Sequence, residues 1–350
     1  MDQHGDLHSH LLEIAIQEGV EIRYNSEVTC LTDTGAVVLA NDELIEPNLI
    51  VGADGQTSLT RKYLSSKEVP EEVPSDQLTL LFSIPTERMR DDEDLRHLIS
   101  TDLKIWLGDS YVCQGHLSHG SEEYSLLLSY SIDDDLSEYR ENWTRRYSVE
   151  HFDLDYDRFE LSLRKLLQMA EYTIPTSYAT RPLLESLVCD DGRLVLVGEA
   201  AHPLVPGGVQ PTAMCLEDAE ILGNLLSRLQ SKEDLPRFLS AYEELRLPRC
   251  READGYETRN RTVFTLPKGP AQKMRDAKLR WGTAEWDQLS EDKFWEVWGD
   301  EVKFYPFDAS EKADDWWVKW GALLLRQNSR NGENLLTPPT PTVEVSISNH

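Results

Sequence analysis

Between positions 198 and 219 the chain reads GEAAHPLVPGGVQPTAMCLEDA, which sets a carboxylate, a histidine and an acidic pair around small residues and prolines. A carboxylate offers only acceptors, and Glu199 by itself reads as an acid at a strand end. Gly207 to Thr212, just ahead of a helix, supply backbone N–H groups and the positive end of a helix dipole, a setting for an anionic or electron-rich ligand edge. A second cluster, Gly52-Ala53-Asp54-Gly55 with Arg61, has a glycine free to take a positive-φ turn and an aspartate able to brace it. Arg61 reads as a phosphate-side or structural cation. His202 reads as a structural histidine, and histidines 97, 116, 119 and 151 lack metal-ligand spacing with acids or cysteines, so no metal is expected. No Ser/His/Asp arrangement stands out. Catalytic residues stay unassigned, and Tyr111, Gln114 and Tyr130 read as strand residues able to face either a cavity or the core.

These groups need elements to hold them. Arg193 to Val197 is a β-branched apolar run, expected to be a buried parallel strand, and Ala213 is expected to open a helix carrying Met214, Leu216, Ala219, Ile221, Leu222, Leu225 and Leu226. Leu49 to Val51 is a second short strand that delivers Gly52 to Gly55 into a turn. Upstream, residues 6–18 keep Leu7, Leu11, Leu12, Ile14 and Ala15 on one helical face with Gly19 as a stop. Val20 to Tyr24 follows as a strand, then Glu27–Leu31 and Ala36–Leu39 as a hairpin around Thr34-Gly35. After a polar crossing at 65–73, Leu78–Ile84, Lys104–Leu107, Tyr111–Leu117 and Tyr124–Ser131 are successive strands of a mostly antiparallel sheet. Helices are expected at Glu141–Tyr147, around Arg158–Met169, and from Leu235 to about Arg261 with a break near Pro248. Seven tryptophans between 281 and 320 are expected to pack a helical appendage onto the body. TPPTPTVEVSISNH is expected to be a flexible tail.

Gly198-Glu199-Ala200-Ala201-His202-Pro203, then Pro206, Gln210 and Glu217-Asp218, resemble the second flavin motif of the aromatic-ring hydroxylases, the single-component FAD-dependent monooxygenases of the p-hydroxybenzoate and salicylate hydroxylase type. Leu49 to Ser58 with Arg61 resembles that family's G-A-D-G-x-x-S-x-x-R motif, and Leu266–Pro270 with Arg275-Asp276 is similar to fungal members. The resemblance implies FAD as cofactor and NAD(P)H as co-substrate, with a small organic metabolite, plausibly of fungal secondary metabolism, as the molecule hydroxylated or epoxidised. It implies cofactor-binding roles for His4, Asp54, Gly55, Arg61, Gly198, Glu199, Pro206, Gly208, Gln210 and Thr212. His4 stands where the family often has an arginine, Glu199 where it has an aspartate one methylene shorter, and Pro211 where it has a glycine whose N–H is expected to be missed. No G-x-G-x-x-G occurs in the 350 residues, so the phosphate-binding turn of a Rossmann-type domain is not among them.

The expected fold class is therefore α/β with an α+β insertion. It comprises an FAD/NAD(P)-binding Rossmann-like domain, N-terminally incomplete (1–65 and 190–265), an inserted, mainly antiparallel substrate domain (75–185), a Trp-rich C-terminal helical region (266–330) and a tail (331–350). The alternative is a truncated, catalytically impaired homologue or gene fragment acting as a non-catalytic binding protein. A net charge of −28 disfavours nucleic acid and anionic membranes as partners. Five scattered cysteines read as free thiols of a reducing compartment, and with no apolar leader at the start and no span-length apolar run the expected location is cytoplasmic.

Overall fold

The computed structural model describes residues 2–65, 72–140, 142–205, 208, 210–284, 290–321 and 344–347. In chain order the elements are α1 (Asp2–Gln17), β1 (Glu21–Tyr24), β2 (Val28–Leu31), β3 (Val37–Leu39), β4 (Leu44–Ile45), β5 (Ile50–Gly52), α2 (Leu59–Leu64), β6 (Val73–Pro74), β7 (Gln77–Pro85) and α3 (Glu87–Arg90). Next come β8 (Lys104–Leu107), β9 (Tyr111–Ser118), β10 (Glu123–Ser131), β11 (Tyr147–Ser148), α4 (Leu161–Met169), β12 (Tyr172–Thr176), β13 (Ala179–Thr180) and β14 (Leu194–Leu196). The chain ends with α5 (Pro211–Leu226), α6 (Leu235–Phe264), α7 (Pro270–Ala284), α8 (Glu291–Phe304), α9 (Ala309–Trp316) and β15 (Glu344–Ile347). Contacts divide these into two units, one of residues 1–9, 73–180 and 258–306, the other of residues 10–72, 181–257 and 307–350.

The first unit is organised on a six-stranded sheet of order β11-β12-β7-β10-β9-β8, every neighbour antiparallel. Leu78, Leu80, Phe82 and Ile84 recur at period two along β7, and Tyr124, Leu126 and Leu128 do so along β10, so one face collects the apolar side chains. Leu163, Leu166 and Leu167 of α4 are part of the same buried core. Helix α4 is N-capped by Glu160, whose carboxylate accepts from the N–H of Ser162 at 3.0 Å and of Leu163 at 3.4 Å.

The second unit holds the parallel pair of β5 and β14, the parallel pair of β1 and β15, and the three-stranded meander β2-β3-β4. β5 is short and packed hard. A Cβ added at Gly52 would collide with Thr60 of α2 and Leu196 of β14, so only glycine lets the three elements close up.

Five expectations need correction. No helix forms over 142–147, because the Asn142 side chain accepts from the Arg145 N–H at 2.9 Å and donates to the Pro175 carbonyl at 2.8 Å, offering the backbone a turn instead. The expected helix around Arg158 splits into a 3-10 turn, Tyr156–Arg158, followed by α4. α5 opens at Pro211 rather than Ala213, proline being well suited to the first helical position. α6 runs unbroken through Pro248, which costs one backbone bond but leaves the buried Arg246, Arg249 and Cys250 on either side in place. Within the tail expected to be flexible, Glu344–Ile347 pairs in parallel with Glu21–Tyr24. The tryptophan reading holds at Trp316 and Trp317, which pack on Phe238 with ring centroids 6.1 Å away. Trp295 and Trp320 are exposed, and Trp286 lies outside the described residues.

Candidate functional site

β5 and β14 run side by side with Ile50 opposite Leu194, Val51 opposite Val195 and Gly52 opposite Leu196, and the Val197 N–H closes the ladder on the Gly52 carbonyl at 3.0 Å. Two parallel strands in this register release their chains at one level. The turns Ala53–Gln56 and Gly198–His202 therefore emerge next to each other, as at the carboxyl edge of an open α/β sheet. Their side chains meet: Gln56 Nε2 donates to Glu199 Oε1 at 3.3 Å.

Asp54 is spent on its own turn. Its carboxylate accepts from Ser58 Oγ at 2.6 Å, from the Thr60 N–H at 2.9 Å and from the Thr60 hydroxyl, while Ser58 caps α2 through the Arg61 N–H at 2.8 Å. Gly55 has φ +72 with open space on the Cβ side, as the positive-φ reading anticipates. Arg61 is buried, and its guanidinium donates to the carbonyls of Ala200 (2.9 Å), Ala201 (3.3 Å) and Pro182. Burial, with the nearby charge of Arg181, pulls its pKa down to about 10. Arg61 thus ties α2 to the turn after β14, the structural side of the reading made from sequence.

Behind that turn lies a buried charge network. Asp218 of α5 accepts from the Gly198 N–H at 2.7 Å and from His202 Nε2 at 2.6 Å on one oxygen, and from Arg246 Nε at 2.6 Å on the other. Arg246 also donates to Glu217 at 2.6 Å and to the Met214 carbonyl at 3.1 Å, and Arg249 adds two bonds to Glu217 at 3.0 and 3.2 Å. Burial alone would raise the Asp218 pKa, but the hydrogen bond from His202 and the charges of His202 and Arg246 outweigh it and lower it. Cys215 is driven the other way, to about 11, by burial and then by the carboxylates of Asp218 and Glu199, so it stays a thiol. Gly198 takes φ +60, which lets its N–H turn onto Asp218.

The first turn of α5 carries N–H groups at Thr212 and Ala213 that have no intrahelical acceptor by helix geometry. Pro211 fits the first helical position, where no intrahelical bond is lost, but it supplies no N–H to a ligand there. Ahead of it, the Gln210 N–H donates to the buried Glu257 carboxylate at 2.8 Å, and a Cβ on Gly208 would run into the same carboxylate at 2.7 Å. Of the residues singled out in sequence, Asp54, Gly55, Arg61, Gly198 and Glu199 come together at the paired turns, while Gly208, Gln210 and Thr212 lead into α5. His4 falls in α1 with its side chain outside the described residues, as does all of Pro206. Sequence reasoning passed over Gln56, Arg181, Arg246, Arg249 and Glu257. The last three sit in helical phase with the stripe Leu235, Phe238, Leu239, Tyr242, so charge interrupting an apolar stripe was the available signal.

In the other unit a cavity of about 250 Å³ is lined by Tyr111, Tyr130, Phe152, Leu154, Arg158 and Phe159 among others. Tyr111 and Tyr130 are directly paired across β9 and β10, and burial pushes the Tyr130 phenol up to about 12. Among the described residues no cluster has the makings of a metal site, and no helix is long and apolar enough to cross a membrane.

Comparison with known proteins adds an independent line. The profile of the FAD binding domain family matches residues 3–254. The FAD-dependent monooxygenase atnJ of Arthrinium sp is 27% identical over 284 residues, covering 79% of this chain and 66% of the relative. The 3-amino-4-hydroxybenzoate 2-monooxygenase PtnB3 of Streptomyces platensis is 29% identical over 294 residues, with the same 79% and 66% coverage. The chain thus spans just under two thirds of the length of these curated relatives. Among solved structures, a salicylate hydroxylase substrate complex shares the fold at a TM-score of 0.67 and 16% identity, covering 83% of this chain and 70% of the other. FqzB does so at 0.66 and 19% identity, with 93% and 71% coverage.

Proposed function

Because the chain belongs to the FAD binding domain family, we propose that its paired turns and the start of α5 hold the ribityl and ring portions of FAD. We further propose that it acts as an FAD-dependent monooxygenase, with NAD(P)H and O₂, on a small organic metabolite. Support comes from relatives named as FAD-dependent and aminohydroxybenzoate monooxygenases, and one observation carries the reading. The parallel register of β5 and β14 brings the two turns together, and Gln56 bonds one oxygen of Glu199 while the other oxygen has no bond among the described residues.

That geometry fits the cofactor's polyol end. Glu199 Oε2 would accept from a ribityl hydroxyl, and the N–H groups of Thr212 and Ala213 would face an electron-rich ring edge. When bound, the flavin supplies hydride acceptance and the activation of O₂. The chain's own work is positioning: Asp218 and Arg61 fix the Gly198–His202 turn from two sides, and Glu257 fixes the approach to α5 through Gln210.

The test is a fluorescence titration of the purified chain with FAD and with riboflavin. With no G-x-G-x-x-G turn among the 350 residues to read the pyrophosphate, the two ligands are expected to bind with similar affinity. Glu199→Ala is expected to weaken both by about tenfold, the loss of one hydrogen bond to a charged group. Riboflavin binding untouched by that substitution would remove the paired turns as the flavin site.

A further inference from the structure

Glu199 does not stand alone. Its Oε1 accepts from Gln56 Nε2 at 3.3 Å, Gln56 Oε1 in turn accepts from an Arg181 guanidinium nitrogen at 3.1 Å, and Arg181 donates through its other terminal nitrogen to Glu72 at 2.8 Å. Gln56 is buried, and the Arg181 side chain is only 10% exposed. The order of this chain is dictated chemically. A guanidinium has donors and no acceptor, so it compels the Gln56 amide to turn its oxygen toward Arg181 and its NH₂ toward Glu199. A glutamine free to flip would present either end to the carboxylate. This one cannot.

We propose that Gln56, oriented by Arg181, is the positioning residue for Glu199, holding one carboxylate oxygen so that the second is presented to a hydroxyl of a bound polyol such as the ribityl chain. The proposal rests on the flavin reading above and deepens it. A glutamate side chain carries one more rotatable bond than an aspartate, and freezing it costs rotamer freedom. A neutral donor at the end of a cation-anchored relay supplies that restraint without cancelling the carboxylate's charge. A direct arginine partner would have offset the carboxylate's charge and could have taken both oxygens in a bidentate pair. The relay therefore accounts for a functional carboxylate of this length at this turn, and it links the turn after β5 to the turn after β14 chemically as well as by the ladder.

Riboflavin and lumiflavin, which has the ring but no ribityl chain, separate this role from a merely structural one. Gln56→Glu keeps the oxygen that receives Arg181 but faces Glu199 with a second acceptor, so riboflavin binding is expected to fall by about tenfold or more, with lumiflavin binding changed by less than about twofold. Gln56→Ala is expected to weaken riboflavin in the same ligand-selective way. Combined with Glu199→Ala it should add nothing to the loss caused by Glu199→Ala alone, the mark of residues acting as one unit. Unfolding curves in denaturant confirm which variants are folded. Equal losses for both ligands, or losses that add in the double variant, would overturn the role given to Gln56 while leaving the flavin site standing. A wild-type chain that binds neither flavin overturns the flavin reading, and this inference with it.

Discussion

Along β7 the side chains of Leu78, Leu80, Phe82 and Ile84 all vanish into one core, and β10 answers with Tyr124, Leu126 and Leu128. The pair β5 and β14 contributes three residues from each strand, and along with the apolar Leu194, Val195 and Leu196 the second unit buries polar and charged groups, at Asp218, His202 and Arg246. The sheet unit is held by apolar burial spread over nine-residue strands, a non-directional force that tolerates small shifts. The turn after β14 is held, in addition to the apolar burial of its unit, by a few directional, charge-assisted bonds. The difference is one of purpose. Burial makes a platform, and a buried ion network fixes where a turn must sit, at the risk that one lost partner leaves a charge stranded.

The sharpest way to break the comparison is to remove one member from each. Arg246→Ala would leave the buried Asp218 without its arginine, while Glu217 keeps Arg249, and is expected to destabilise the second unit by about 3–5 kcal/mol. Leu126→Ala is expected to cost the first unit about 2–5 kcal/mol through the cavity left behind. Denaturant unfolding followed by tryptophan fluorescence and by circular dichroism measures both. Flavin affinity separates them, because only Arg246→Ala disturbs the Gly198 turn through Asp218. Equal effects of both substitutions on riboflavin binding would erase the proposed division of labour.

Acid should distinguish the units more gently. The Asp218 pKa is lowered in the folded chain, so this group contributes stability that is complete above the ordinary carboxylate range, about 4, and is lost as pH falls through its depressed folded value. Arg246 has its pKa raised, since Asp218 and the other acids around it outweigh the effect of burial, and it stays charged throughout. Unfolding measured at steps from pH 6 to pH 3 should therefore show a loss that is smaller in Asp218→Asn than in the parent chain. Parallel pH profiles for the two would mean that the Asp218 charge is not what holds the turn.

How much of this was legible beforehand follows from the range of each interaction. The strands of the six-stranded sheet announce themselves because period-two alternation is local, and the two glycine-bearing turns do so because their glycines, acids and small residues are contiguous. The helix expected at 142–147 failed because one side chain, Asn142, finds its second partner at Pro175, a contact no local pattern records. The site was half visible for the same reason. Glu199 and Asp218 lie in one motif, but the groups that orient them come from far along the chain: Arg246 is 28 residues beyond Asp218, and Gln56 lies 143 residues before Glu199. Arg246, Arg249 and Glu257 interrupt the apolar stripe of a long helix, but a stripe does not say which partners would hold their charges. The structure supplies those partners and shows the three buried along α6.

The smallest expected effect on folding is the one with the largest consequence for handling the protein. On α1, Leu11 is 48% exposed and Ile14 54%, and on β5 Val51 is 44% exposed. Leu11 and Ile14 lie three residues apart and so share one face of the helix. Among the described residues β5 is hydrogen-bonded along one side only, by β14, which leaves a second row of backbone donors and acceptors unpaired. Exposed apolar side chains and an unpaired strand edge each favour association with another chain. Leu11→Glu combined with Ile14→Lys removes apolar area that the folded chain does not bury, so folding stability is expected to move by about 0.5 kcal/mol or less per site. Light scattering across a concentration series should, in contrast, show the parent chain associating and the double variant doing so less. The six-stranded sheet supplies the control. Its strands β11 and β8 are also edges, so Ile105→Lys, a charge placed on the exposed Ile105 of β8, should leave association unchanged if the α1 and β5 surfaces drive it. Association abolished by Ile105→Lys and unaffected at α1 would reverse the assignment, making the well-packed unit the adhesive one and the charge-held unit the self-sufficient one.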